Sequence, residues 1–331
     1  MVASAFLVTT ILAFQVQAGD SHLLIVSGIG GQPQYSEAFH RWGIALYEAA
    51  TERLGLPASN IVYLAERVER DPRIHARSTK ENFEQALADI AAKAGARDRV
   101  FIVLIGHGSA NNDEPRFNLP GPDIAAAELA QHFRTKFPTQ TVVLANTSSA
   151  SGDFLSVLSG PNRVIVTATK TGFERNEAIF GEFFVEAFAG DGADVDKDER
   201  VSVLEAFNYA RIETARRYER DERLLTEHAM LDDNGDGVGS TEPDPRAEGG
   251  DGALARTLFL DRVGVMVAGP TGGDSVLGTL YNEKRALEER IATLRNLKDQ
   301  MEQDVYEAEL EELLVGLALK NRAIREREAG R

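Results

Sequence analysis

The sequence predicts an α/β domain built on a mostly parallel sheet that is flanked by helices. Five short runs of residues are apolar throughout, which is typical of strands that are buried on both faces of a sheet. Helical stretches separate these runs, and such alternation favours parallel pairing of the strands. The chain has 331 residues, of which 43% are hydrophobic, so it holds enough apolar material for a buried core.

The strands and helices follow one another in a regular order. The predicted strands cover residues 22–27, 61–64, 100–105, 141–145 and 163–168. The predicted helices between them cover residues 35–54, 78–94 and 124–137. The first of these helices places apolar side chains at helical spacing, which predicts a face toward the sheet made of Phe39, Trp42, Leu46 and Ala50. Ser78 and Glu81 match a capping box at the start of the second helix.

Charge and cysteine content narrow the class of function. The net charge is -16, from 52 acidic and 36 basic residues, and a field of that sign repels the phosphate backbone of nucleic acids. We therefore expect no nucleic-acid partner. The chain has no cysteine, which excludes a disulfide framework, a thiolate metal site and a thiol nucleophile.

The N-terminus resembles an export signal. Residues 1–14 are apolar and uncharged, and short side chains follow at Val16 and Ala18. This pattern predicts a signal peptide at residues 1–18, and therefore an exported protein that is periplasmic or secreted. A buried first strand or helix is the alternative. No later segment reaches the apolar length of a membrane-spanning helix, so we expect no stable membrane span after cleavage.

The C-terminal part of the chain differs in composition and in the spacing of its apolar residues from the domain at residues 19–268. Residues 275–331 are charged and lack proline, and a seven-residue spacing connects Leu280, Leu287, Leu294 and Met301. The apolar stripe then continues with a shifted phase. This pattern predicts one long coiled-coil-like helix or a helical hairpin broken near Asp304. Self-association of this tail and its packing against the domain are the two alternatives.

Two unusual turns follow predicted strands. One contains His107 and Gly108, and the other begins at Ser149. The carboxyl ends of parallel strands meet at one edge of a sheet, where ligands bind, so we expect both turns to lie at that edge. Histidine is a natural general base near neutral pH, and a glycine beside it lets the backbone approach a ligand closely.

These turns, together with segments 117–123 and 158–163, resemble the legumain-like peptidase family, which has a caspase-like fold. The likeness covers residues 22–188. It implies that His107 is the histidine of a catalytic dyad and that Ser149 occupies the position of the family's cysteine. It also implies that the backbone N–H groups of Gly108 and Ser149 form an oxyanion site.

The exchange of sulfur for oxygen leaves three hypotheses. A serine hydroxyl is far less nucleophilic than a thiolate and needs a base that a third group orients. The leading hypothesis is therefore a catalytically degenerate homologue that acts by binding a peptide or protein ligand, or by assembly. The alternative is an active serine-dependent peptidase or related hydrolase that uses Ser149 and His107. The third is a structural scaffold whose tail forms oligomers.

The acidic segment 190–210 matches an EF-hand calcium loop. Calcium prefers oxygen ligands that converge from every second residue of such a loop, with a bidentate carboxylate at position twelve. The glycine usual at position six is replaced by Glu199. The predicted calcium ligands, which include one backbone carbonyl at position seven, are Asp194, Asp196, Asp198, Arg200, Ser202 and Glu205.

A second acidic segment at residues 231–243 matches half of such a loop. Asp232, Asn234 and Asp236 occupy positions one, three and five. Position twelve is Pro243, so the closing bidentate ligand is missing or shifted. A weak calcium site and an ordinary Asp/Gly turn both fit this pattern.

Overall fold

The structure is a computed structural model that describes residues 19–111, 114–198, 200–261, 275–296 and 303–329. The predicted signal peptide at residues 1–18, Glu199 and Met301 lie outside the described residues. No helix in the described ranges is both long and apolar enough to cross a membrane.

The described residues contain ten strands and eight α-helices. The strands are β1 (Ser21–Ser27), β2 (Ile61–Ala65), β3 (Ala76–Arg77), β4 (Arg99–Ile105), β5 (Gly108–Asn111), β6 (Glu114–Phe117), β7 (Ile124–Ala125), β8 (Thr141–Asn146), β9 (Arg163–Thr167) and β10 (Met230–Asp232). The helices are α1 (Pro33–Glu48), α2 (Lys80–Lys93), α3 (Ala126–Lys136), α4 (Phe154–Leu158), α5 (Phe180–Ala189), α6 (Val203–Arg220), α7 (Ser275–Asn296) and α8 (Gln303–Ala329).

A seven-stranded sheet forms the centre of the domain. Its order is β10, β9, β8, β4, β1, β2, β3, and every neighbouring pair is parallel except β10 with β9. A second, antiparallel sheet joins β5, β6 and β7. The predicted α/β class with a mostly parallel sheet is therefore confirmed.

Helices cover both faces of the large sheet. Successive side chains of a strand point to opposite faces, so Leu23 and Ile25 join one apolar core while Leu24 and Val26 join the other. The first core contains side chains of α1, α5 and α6, and the second contains side chains of α2, α3 and α4. This double covering explains why the strands are apolar throughout.

Several element boundaries differ from the sequence-based expectation. The N-cap of α2 is Thr79, whose hydroxyl accepts the N–H of Asn82 at 3.3 Å, so the capping box predicted on Ser78 is wrong. The Ser78 hydroxyl instead donates to the Ser27 carbonyl at 2.7 Å, because Ser78 is buried against the end of β1. Pairing with β6 makes residues 124–125 a short strand, and α3 begins only after it.

The C-terminal tail is a pair of packed helices. Glu283 of α7 forms an ion pair with Lys320 of α8 at 2.6 Å, and Leu287 lies against Gly316, so the two helices run antiparallel. Apolar side chains fill the space between them, with the most buried positions at Ile291, Leu294, Tyr306 and Leu313. The segment between the helices, at residues 297–302, lies outside the described residues. Self-association of the tail stays a prediction.

Close packing of α1 on β2 gives a test of the fold. A Cβ atom added at Gly43 would lie 2.4 Å from the buried Tyr63 hydroxyl oxygen. An exposed helical Gly→Ala change stabilises by about 1 kcal/mol, but overpacking costs about 1–3 kcal/mol. We therefore expect Gly43→Ala to lower the free energy of unfolding measured in urea. Gly316→Ala is the control, because its Cβ would lie 3.4 Å from Leu287, and a gain of stability in both variants would contradict the packing argument.

Candidate functional site

The strand order places the two predicted turns side by side. The chain runs from β1 to β2 and β3, and then crosses to β4 on the other side of β1. Ligands of open α/β sheets bind at the carboxyl ends of strands near such a change of direction. His107 follows β4, and Ser149 lies just beyond the end of the neighbouring strand β8. The fold therefore brings both turns to one edge of the sheet.

Gly108 and Ser149 are in direct contact. The Gly108 N–H donates to the Ser149 Oγ at 3.4 Å. A Cβ atom added at Gly108 would lie 2.3 Å from the Ser149 carbonyl oxygen, so only glycine allows this approach of the two backbones. Ser149 is 3% exposed. The hydroxyl therefore lies next to the N–H group that the resemblance assigns to the oxyanion site, with almost no contact with solvent.

His107 is held by aromatic side chains of α1. The imidazole lies edge-on to the rings of Tyr35 and Phe39, with centroid distances of 4.8 and 5.1 Å. Burial lowers the pKa of His107, while a hydrogen bond to the Gly30 backbone and the charge of Glu177 act in the opposite direction. The imidazole is therefore neutral at pH 7. Within the described part of the chain, no hydrogen bond joins it to Ser149.

The turn after β8 contains a backbone conformation that is rare for its residue type. Ala150 has a φ of 52° and is fully buried. Its N–H donates to the Glu174 carbonyl at 2.8 Å, and the nearby Ser151 hydroxyl accepts the N–H of Ala168 at 3.1 Å. A left-handed alanine costs about 1–2 kcal/mol, so these neighbours must hold the turn in place.

Asn118 connects the turns that follow β1 and β4, a role that the sequence did not reveal. Its N–H donates to the His107 carbonyl at 3.0 Å, and its carbonyl accepts the Ile29 N–H at 3.2 Å. Its side-chain oxygen accepts the Ser109 hydroxyl at 2.9 Å. The residue lies within the segment 117–123 that contributed to the resemblance, but nothing in its spacing identifies it as a residue that bonds to both turns.

The first acidic loop gathers three of its predicted ligands. Oxygen atoms of Asp194, Asp196 and Asp198 all lie within 4.8 Å of one another. The Asp198 N–H donates to both Asp194 and Asp196 at 3.2 Å, and the Arg200 N–H donates to Asp198 at 3.0 Å. Convergent carboxylate oxygens of this kind suit a hard divalent cation such as Ca²⁺.

Glu205 closes this loop. Its Oε1 accepts the Val195 N–H at 3.0 Å and the Asp196 N–H at 3.5 Å, which are positions two and three of the loop. Its Oε2 accepts the N–H and hydroxyl of Ser202 at 2.9 and 2.8 Å, and Ser202 caps α6 in return. Glu205 and Ser202 thus form a capping box, and the same Glu205 side chain, at position twelve, bonds to the start of the loop.

The second loop repeats the geometry of the first. Asn234 accepts the Asp236 N–H at 2.9 Å, as Asp196 accepts the N–H of residue 198 in the first loop. Asp232 is 1% exposed and accepts the N–H groups of residues 235 and 237. The φ of 82° at Gly235 matches the φ of 62° at Lys197, which occupies position four of the first loop.

Asp251 lies where the missing twelfth residue of the second loop would act. Its Oδ1 accepts the Asp233 N–H at 3.1 Å, and the backbone of Asn234 also bonds to it. These are positions two and three, the same positions that Glu205 contacts in the first loop. Asp251 is 5% exposed, and burial together with the charges of Asp233 and Asp232 raises its pKa to about 6. The sequence missed Asp251 because it lies outside the twelve-residue window of an EF-hand loop.

Comparison of the chain with protein-family models and with curated proteins finds no match in either set. The assignment of function therefore depends on the residues and their geometry.

The environment of His107 gives a prediction for its titration. The negative charge of Glu177 raises the pKa of His107, so Glu177→Gln should move the titration midpoint of His107 to lower pH. Glu177 is exposed, so the substitution should leave the fold intact. The midpoint can be followed by NMR of the imidazole protons, with Glu182→Gln on α5 as the control. A midpoint that rises in Glu177→Gln would contradict this electrostatic environment.

The left-handed Lys197 gives a prediction for the first loop. Lys197 is exposed, and glycine adopts its φ without steric cost. After the greater backbone entropy of glycine is subtracted, we expect Lys197→Gly to raise the free energy of unfolding by about 0.5–1 kcal/mol. The control is Lys170→Gly at an exposed lysine with ordinary φ, which should be neutral or destabilising. Equal effects in thermal unfolding of the two variants would argue against the loop geometry.

Proposed function

We propose that this protein is an exported homologue of legumain-like peptidases that has lost catalysis, binds calcium, and acts by binding a peptide or protein ligand or by assembly. The observation that carries the noncatalytic part is the state of Ser149. Its hydroxyl is almost fully buried and accepts the Gly108 N–H, while the His107 imidazole packs against α1 without a hydrogen bond to it within the described residues.

The strand order supports a caspase-like fold. The His turn and the Ser turn follow adjacent parallel strands, β4 and β8, on one side of β1. This agrees with the order of strand, His–Gly turn, strand and small-residue turn that the resemblance uses. The exported location rests on the apolar run at residues 1–18 alone.

The arrangement lacks what an alcohol nucleophile needs. A serine must donate its proton to a base within about 2.6–3.2 Å, and a third group must orient that base. The Ser149 hydroxyl accepts the Gly108 N–H, and within the described residues it donates no hydrogen bond to His107. Glu177, the charged group that raises the pKa of His107, accepts a hydrogen bond from the Tyr35 hydroxyl at 3.4 Å. Within the described residues, the buried Ser149, His107 and the exposed Glu177 therefore do not form a hydrogen-bonded triad.

One set of observations favours the second candidate, a serine-dependent hydrolase. His107 is neutral at pH 7, as a general base must be, and the Gly108 N–H is aimed at residue 149. Removal of a single oxyanion donor typically costs about 3–4 kcal/mol of barrier, so retention of this donor has chemical value. The two candidates differ in whether Ser149 reacts.

A serine-directed fluorophosphonate probe distinguishes the two candidates. We expect no labelling of the wild-type protein, because the hydroxyl is buried and forms no hydrogen bond with His107 within the described residues. Labelling that disappears in Ser149→Ala and persists in Ser156→Ala, an exposed serine of α4, would overturn the noncatalytic proposal. Peptide hydrolysis that appears in Ser149→Cys would show that the remaining groups can still support catalysis by a thiolate.

The calcium part of the proposal assigns one ion to each acidic loop. In the first loop the carboxylates of Asp194, Asp196 and Asp198 converge and Glu205 supplies position twelve. In the second loop Asp251 replaces the missing residue at position twelve. Calcium takes six to eight oxygen ligands, and the backbone carbonyl at position seven of each loop adds another.

Calorimetry with Ca²⁺ tests this assignment. We expect two binding events in the wild-type protein, and one in Asp194→Ala, in Glu205→Ala and in Asp251→Asn. Asp244→Asn is the control, because Asp244 lies in the same acidic region and only accepts the N–H of Arg246. Absence of heat in the wild-type protein would remove the calcium proposal. Two binding events in Asp251→Asn would remove the role of that residue.

A further inference from the structure

Residues 249–261, which we call the strap, lie against the second acidic loop. The Asp233 carboxylate accepts the N–H groups of three strap residues, Gly252, Leu254 and Ala255, at 2.8, 2.8 and 2.7 Å. Asp251 of the strap accepts the Asp233 N–H in return. The exchange of hydrogen bonds in both directions fixes this part of the strap to positions two and three of the loop.

The other end of the strap is fixed to the first acidic loop. Arg200 donates two hydrogen bonds to Asp261, the second of them from Nη2 to Oδ1 at 2.7 Å, and both side chains are 8% exposed. The guanidinium carbon lies 3.6 Å from the centroid of the Phe259 ring. The Val203 N–H donates to the Leu258 carbonyl at 2.8 Å, directly after position nine of the loop.

Arg200 and Asp251 each have two roles in this arrangement. Arg200 offers its backbone carbonyl at position seven of the first loop, and its side chain holds the strap. Asp251 belongs to the strap and supplies the closing carboxylate of the second loop. A conformational change in the first loop would therefore reach the strap through Arg200, and one in the second loop would reach it through Asp251.

Like charges gather where the strap meets the second loop. Asp232, Asp233 and Asp251 are 1%, 8% and 5% exposed, so their mutual repulsion is poorly screened by solvent. A divalent cation between Asp232 and Asp251 would convert this repulsion into attraction. Apolar side chains of the strap, among them Ala255, Leu258 and Leu260, keep it packed on the first core in either case.

We infer that the strap couples the two acidic loops, so that calcium bound at one loop tightens the segment that completes the other. This inference rests on the proposed calcium binding. Calcium would make local opening of the strap rarer without changing the path of its backbone, because the apolar side chains of the strap stay in the core.

Hydrogen exchange of the full-length protein, measured by mass spectrometry with and without calcium, tests the inference. At a calcium concentration 100 times Kd we expect exchange in the strap to slow by about a hundredfold, because a ligand that binds only the closed form multiplies the ratio of closed to open by 1 + [L]/Kd. Peptides from α2, which belongs to the opposite core, should not change.

Variants separate the coupling from calcium binding itself. Asp261→Asn and Asp261→Ala both leave the predicted ligands of the two loops in place, so calorimetry should still find two calcium sites. We expect the slowing at residues 256–261 to be lost in both. Calcium heat without slower exchange of the wild-type strap overturns the coupling and leaves the calcium proposal standing. Absence of calcium heat overturns both, and the wild-type comparison decides the question even if neither variant folds.

Discussion

The close approach of two backbones, at Gly108 and Ser149, is the contact on which the candidate active site depends. It is possible because parallel pairing of β4 and β8 puts both turns at the same height, and because residue 108 has no side chain. Asn118 then ties the turn after β1 to the turn after β4. Backbone N–H and C=O groups of these turns thus find hydrogen-bond partners within the protein and need none from a ligand.

The same edge carries the observations behind the noncatalytic proposal. Two aromatic rings of α1 and the Gly30 backbone hold the imidazole, and the hydroxyl that should act with it is nearly sealed from solvent. Reactivity would require the Ser149 hydroxyl, which accepts the Gly108 N–H, to donate its proton to His107. In the first acidic loop, by contrast, oxygen atoms of Asp194, Asp196 and Asp198 lie within 4.8 Å of one another, an arrangement that could hold a metal ion.

Much of the architecture could be predicted from the sequence, because strands that are buried on both faces of a sheet are apolar at nearly every position. Helix α5 is missing from the sequence-based prediction. Phe180, Phe183, Phe184 and Phe188 are all buried, and only Glu182 and Glu186 mark its narrow polar face. The turns at His107 and Ser149 were recognisable from the sequence. Three further features depend on residues that are distant in sequence: the contact between the turns, the packing of α1 on the imidazole, and the role of Asp251. Local spacing carries no information about such partners.

Because Gly108 keeps the backbone approach and Ala150 keeps its left-handed turn, position 149 would present a thiol to the same N–H group as it presents the alcohol. Several serine codons differ from a cysteine codon by a single nucleotide. A single-nucleotide change in one of these codons would therefore place sulfur beside the Gly108 N–H, with the glycine and the left-handed turn unchanged.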